Sequence, residues 1–269
     1  MAKTKVNGIC HLCGKNTILT FEHIPPEKAN NKDNSKMITG KEIFNVDKMH
    51  DGKSLRYIQR QQGAGDFTLC KECNNNTGNW YANEYIKFAN EIGYCLNCKT
   101  NIETTKTIKL SSNKLYFQRI IKQILCMFLS TIQPEYAIEF EDIRQYVLNK
   151  DNVNFNEKKY RISMFLLRKY ENSHSGIINM LINEDGKNYI KTIALMNLYP
   201  LGFILEINPQ DKELAETTNI TKLTTLKYDE IKNVEMLVSI TDRYSISKFT
   251  KRIIEKNYGL NKKGRNKDE

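Results

Sequence analysis

The sequence predicts an α+β fold: a small metal-organised module at the N-terminus, followed by a larger α+β domain with antiparallel sheet. Three observations predict it. Three CxxC pairs, Cys10/Cys13, Cys70/Cys73 and Cys95/Cys98, crowd the first hundred residues, together with His11, His23 and His50. Beyond them, apolar residues recur at helical spacing over 115–131. From Tyr160 onward, runs of β-formers are split by Ser, Gly, Asp and Pro, the punctuation of antiparallel strands. A length of 269 residues suits one large domain or two small ones, and 40% hydrophobic residues suffice for a packed core.

The module opens on a knuckle, Cys10-His11-Leu12-Cys13-Gly14-Lys15. Residues 18–24 read as a strand, ended by Pro25-Pro26 because proline brings no donor to a ladder. Residues 27–65 are polar and loop-like, with a short helix expected near 55–62 and a turn at Gly63-Ala64-Gly65. Residues 67–69 form a second strand leading into Cys70-Lys71-Glu72-Cys73. A helix in two pieces, broken near Gly78, follows; Trp80, Tyr81, Tyr85, Ile86 and Ala89 supply its apolar face.

A Thr- and Lys-rich connector over 99–112 divides a module of residues 1–99 from a domain over 113–260. In that domain 115–131 and 140–148 read as helices. Residues 160–170, 176–183, 189–198 and 202–207 read as strands, and 242–258 as a closing helix. Residues 261–269 are a charged tail, expected to be disordered. No motif assigns chemistry to the domain, which leaves substrate selection, dimerisation or partner docking as its role.

Lys and Arg total 41 and Asp and Glu 31, a net charge of +10. That charge suits a polyanionic partner, although a chain rich in Lys, Asn and Ile together is also what AT-rich coding produces. The longest apolar stretch, 124–132, is about half of a membrane span. The first ten residues lack the apolar core of a secretory signal. Seven cysteines are an odd number for a disulfide scaffold. The chain therefore reads as a cytoplasmic, reduced protein whose thiols are free or metal-bound.

Zinc takes four thiolates tetrahedrally, and each CxxC supplies two from a tight turn. Cys10, Cys13, Cys70 and Cys73 are therefore expected to clamp the two ends of the module around a structural Zn²⁺ that contributes folding free energy. Between the clamps lies Glu22-His23-Ile24-Pro25, and Asn74 follows the second one directly.

Taken in this order, the knuckle, the strand ending in Glu22-His23, the second strand and Cys70-Lys71-Glu72-Cys73-Asn74 make residues 8–92 resemble the HNH endonucleases, the ββα-metal nucleases. The resemblance implies metal-dependent hydrolysis of phosphodiester bonds, leaving 5′-phosphate and 3′-hydroxyl ends, on DNA more than RNA. It makes His23 the general base, imidazole being the side chain best suited to proton transfer at neutral pH. It gives Glu22 and Asn74 the role of holding one hydrated divalent cation, Mg²⁺ or Mn²⁺, as oxygen ligands for a hard ion. The family's middle Asn, which orients the catalytic His, falls on Gly65 here; Asp66, Gln61 and Gln62 are the nearby substitutes. The arrangement is also similar to stand-alone bacterial HNH proteins with an added sensor or docking domain, some of which act in anti-phage defence.

Cys95/Cys98 is half of a second zinc site that Cys126, His50 or another subunit could complete, or else two structural thiols after a helix. Arg56 and Arg60 are candidate phosphate contacts, or a solvated face. Lys106, Lys109, Lys114, Arg119 and Lys122 form a basic run that could track a backbone, with a solvated face as the plainer reading. The alternative from a different class is a non-catalytic zinc-knuckle module binding nucleic acid or a protein. A homodimer or a regulatory protein partner is compatible with either reading.

Overall fold

The computed structural model describes residues 6–45, 56–61, 63–98, 103–184 and 186–257. It is a mixed α/β structure in which every ladder between strands is antiparallel. In chain order the first part comprises β1 (Val6–Ile9), β2 (Asn16–His23), β3 (Ser35–Met37), α1 (Gly40–Ile43), β4 (Ile58–Arg60) and β5 (Gly65–Cys70). β1, β2 and β5 form one sheet with β2 in the centre, and β3 pairs with β4 as a separate ribbon. The β1–β2 turn is the first knuckle: Cys10 N donates to Lys15 O at 2.9 Å, and Gly14 N to Cys10 O at 2.8 Å. Gly14 takes the positive φ (75°) that so tight a reversal needs.

β5 runs directly into α2 (Lys71–Thr77), which continues through a π-helical turn over Gly78–Ala82 into α3 (Asn83–Asn97). The expected break near Gly78 is thus a π turn within one continuous helical run. It sets Tyr81 and Tyr85 into the core, both fully buried.

From Thr107 the residues expected as connector form β6 (Thr107–Leu115), paired with β12 (Lys232–Ser239). Its Ile108 and Leu110 alternate with Thr and Lys, a half-buried strand pattern. α4 (Phe117–Thr131) is the centre of the molecule. Every residue from Phe117 to Ser130 except Arg119 is buried, so the helix is covered on all sides. α5 (Pro134–Ala137) and α6 (Glu141–Leu148) follow.

The second half carries β7 (Tyr160–Leu166), β8 (Asn172–Glu184), β9 (Lys187–Leu198), β10 (Leu201–Ile207) and β11 (Thr218–Asn219), in the order β11-β7-β10-β9-β8. α7 (Ile246–Asn257) closes the described chain. The four expected strands and the closing helix lie here, the second strand starting already at Asn172.

One apolar cluster joins Leu12, Leu19, Leu69 and Tyr85 from the first hundred residues to Ile124 and Phe128 of α4 and to Met164 and Phe203 of the five-stranded sheet. A second cluster, including Phe165, Ile193, Leu195 and Tyr244, covers another part of that sheet. The helix expected near 55–62 is instead β4 where it is described: Ile58, Gln59 and Arg60 pair with Met37, Lys36 and Ser35. Among the described residues, no helix is long and apolar enough to cross a membrane. His50, Gln62 and 261–269 lie outside the described residues.

Candidate metal centre and active-site cleft

The two knuckles meet because β2 pairs with both β1 and β5. Leu19 faces Val6 on one side and Cys70 on the other. The Sγ atoms of Cys10, Cys13, Cys70 and Cys73 all lie within 4.8 Å of one another, and Cys13 and Cys70 are 4.0 Å apart. Backbone amides point at the sulfurs: Cys70 N donates to Cys10 Sγ at 3.3 Å, and Cys73 N to Cys70 Sγ at 3.5 Å. The Cys10 thiol is pulled down to about 4, first by the hydrogen bond from Cys73 and against the cost of its burial; Cys73, the donor, is pushed up. A tetrahedron with Zn–S bonds of about 2.3 Å needs sulfurs about 3.8 Å apart. The four cysteines fit that spacing and could hold zinc as expected. Such a site would fix the β1–β2 turn to the start of α2.

His11, inside the first knuckle, is buried, and its Nδ1 lies 2.9 Å from Leu129 O on α4. The knuckle is therefore tied to the central helix as well as to β5.

His23 ends β2 and lines an open cleft of about 520 Å³ with Phe21, Gln59, Arg60, Gln61 and Gly63. Phe21 meets the His23 ring edge-on, centroids 5.1 Å apart. Arg60 lies over the Phe21 ring at 5.7 Å and reaches Asp66 Oδ1 at 3.7 Å. Its Nε is buried without a hydrogen-bond partner. Arg60, a candidate phosphate contact in the sequence, lies on the cleft wall. Arg56 is exposed and its backbone N donates to Glu42 Oε1. Gln61 lines the cleft and is exposed.

Glu22 differs from the expectation. Consecutive strand residues face opposite ways, and Glu22 turns into the core while His23 faces the cleft. Its carboxylate accepts from Ser130 Oγ at 2.6 Å, Thr68 Oγ1 at 3.1 Å and Cys126 Sγ at 3.8 Å. Burial pushes its pKa up to about 7 despite the hydroxyl donors. Asn74, near the start of α2, directs its Nδ2 at Thr20 Oγ1 (3.0 Å) and Phe21 O (3.1 Å), which pins the helix to β2. The Glu22 oxygens are already engaged on the side away from the cleft. Glu22 and Asn74 therefore do not fit a divalent cation beside His23 as they stand.

Gly65 has a steric reason. It pairs with His23 across the ladder, and a Cβ there would lie 2.1 Å from Glu22 O and 2.8 Å from the Phe21 ring. No asparagine fits that position. Asp66 is exposed, and its carboxylate accepts from its neighbour Phe67 N at 2.8 Å.

The residue that sequence reasoning missed is Asn31. It is buried, accepts from Ala64 N at 2.7 Å, and donates to Pro25 O at 2.6 Å and Ala64 O at 2.8 Å. Ile24 N also donates to Ala64 O at 3.0 Å. Asn31 thus ties the segment just beyond His23 to the segment that opens β5. Gly63 makes this approach feasible, with φ 85° and space for no Cβ beside Asn31 O. The only sequence signal was Gly63-Ala64-Gly65, which marked a turn but not its partner.

Cys126 sits in the core against Glu22, so it does not complete a site with Cys95 and Cys98, both exposed. The basic run is no continuous stripe. Lys109 pairs with Glu235 at 2.8 Å, and Arg119 pairs with Asp229 at 2.6 Å between the rings of Tyr116 and Tyr228. Lys122 is buried, its Nζ donating to Asn149 O and Lys150 O. Burial lowers its pKa to about 7. Tyr81 and Tyr85 are core residues.

No protein-family model matches the chain, and no curated protein or solved structure matches it either.

Proposed function

We propose that the chain is an HNH-type endonuclease hydrolysing phosphodiester bonds of DNA. The observation that carries this reading is that His23 and Arg60 line one open cleft on the β2–β5–α2 unit that the four cysteines close. His23 takes a proton from the attacking water. Arg60 meets a non-bridging phosphate oxygen with its guanidinium and offsets the charge that builds up as the new P–O bond forms. The bond to the 3′ oxygen breaks, and that oxygen collects a proton from solvent, leaving 5′-phosphate and 3′-hydroxyl ends. With the Glu22 carboxylate engaged in the core, Glu22 and Asn74 do not together hold a cation beside His23 as arranged. The +10 charge suits a polyanionic substrate. Anti-phage defence is the setting that the resemblance suggests.

The second reading, a non-catalytic zinc-knuckle module that binds nucleic acid or a protein, draws on the engaged Glu22 carboxylate and on Gly65. One assay separates them: nicking of plasmid DNA by the wild type and by His23→Ala, each with Mg²⁺ or Mn²⁺ added, with thermal melting as the folding control. Cleavage lost in a folded His23→Ala supports the enzyme. Equal inertness of both proteins on DNA and RNA with every divalent metal rejects it.

A further inference from the structure

The Cys95–Cys98 pair lies outside both the cleft and the four-cysteine cluster. Both thiols are exposed, Cys95 in the last turn of α3 and Cys98 at its C-cap. Positions three apart share a helix face, so both sulfurs can serve one point outside the molecule. Leu96 between them is buried and anchors the turn. A tetrahedral zinc needs two more ligands, and the chain's other cysteines are committed. Cys10, Cys13, Cys70 and Cys73 belong together, and Cys126 is fully buried against Glu22. Among the described residues, no group of three or more His, Cys, Asp or Glu side chains placed to hold a metal includes Cys95 or Cys98.

A second observation concerns what surrounds the pair. Tyr94 is 73% exposed and Tyr170 61% exposed. Tyr170 packs on Tyr199 with ring centroids 5.9 Å apart, and Tyr199 OH lies 3.4 Å from Asn97 Oδ1 at the end of α3. Large aromatic side chains held in place yet open to solvent are the composition of an interface core.

We infer that Cys95 and Cys98 form half of a second zinc site, completed by the same pair from a second copy of this chain. A two-fold axis through the ion supplies the two missing ligands from an identical half in equal amount, with the tyrosines meeting around it. On binding, the four thiols release their protons to solvent.

The test uses the full chain in a reductant that does not bind zinc. Mass is read by light scattering and zinc by elemental analysis. The wild type is expected as a dimer with about 1.5 zinc per chain, one whole cluster plus half of the shared site. Cys95→Ser/Cys98→Ser is expected as a monomer with about one zinc per chain and an unchanged melting temperature. A monomeric wild type overturns the inference, whether it holds one zinc or two. So does a dimer that survives the double substitution. Neither readout involves cleavage, so the result stands apart from that of the plasmid assay.

Discussion

Glu22 and His23 are neighbours on β2, yet Ser130 holds the Glu22 carboxylate at 2.6 Å inside the core while the His23 imidazole lines the open cleft. One peptide unit thus couples the central helix α4 to the cleft. The core half of that coupling carries a titratable group.

Burial raises the Glu22 pKa from 4.5 to about 7. An acid with a raised folded pKa binds its proton more tightly folded than unfolded. Its contribution to stability is therefore fully present below about pH 4.5 and is lost as pH rises through about 7. Glu22→Gln keeps the shape and removes the titration. Relative to wild type, it is expected to gain stability between pH 5 and pH 8.5, on the order of 3 kcal/mol. Urea denaturation of both proteins across that range measures it; a difference that does not change with pH would show that Glu22 titrates as an ordinary carboxyl.

Asn31→Ala strands the Ala64 amide and the Pro25 carbonyl that Asn31 now satisfies, while the Ala64 carbonyl keeps its bond from Ile24 N. Buried groups left without partners cost about 1–3 kcal/mol each, less where water enters. The variant is expected to lose about 2–4 kcal/mol in all and to cleave more slowly than its folded fraction accounts for, since Asn31 ties the chain beyond His23. Single-turnover cleavage well below the melting temperature separates the two effects; a rate loss that merely tracks unfolding would make Asn31 purely structural.

Gly65→Asn restores the residue of the HNH pattern but places a Cβ 2.1 Å from Glu22 O. The ladder must open to admit it, at a cost of about 1–3 kcal/mol or more. Lower stability with no gain in cleavage is the expected outcome. Gly65→Ala should show most of the same loss, because the clash begins at Cβ. If Gly65→Asn instead melts like the wild type and cleaves faster, the steric account of Gly65 is wrong.

The sequence made the strands and the four-cysteine cluster legible because their signals are local. The run of β-formers over 18–24 and the CxxC spacing each need only a few residues. Gly78 misled because a lone glycine reads as a break, whereas packing of Tyr81 and Tyr85 against the core carries the helix through a π turn. Tyr57 and Ile58 sat in a polar surround that hid β4, whose partner lies across the 38–57 segment. The site was legible only in part, for a similar reason. Glu22 is turned inward by Ser130, a partner 108 positions away, and Asn31 meets Ala64 across 33. No local pattern encodes such pairs.

Arg60 offers the most direct reading of what the cleft takes. Its bridge to Asp66 is long, at 3.7 Å, and the Asp66 side chain is 60% exposed, so the pair adds little stability. In the proposed reading the guanidinium turns to a phosphate instead. Each phosphate contact adds about 0.9 to the slope of log affinity against log salt on duplex DNA. Arg60→Ala is expected to lower that slope by about this amount, to weaken binding uniformly across sequences, and to slow cleavage. Arg60→Lys should restore the slope, because the charge returns, but not the rate, because the planar fork over Phe21 does not. His23→Ala should leave the slope unchanged, since in this reading it moves a proton and holds no phosphate. Fluorescence anisotropy with labelled duplex over a salt series measures all three. An Arg60→Ala slope equal to that of the wild type would take Arg60 out of the phosphate site.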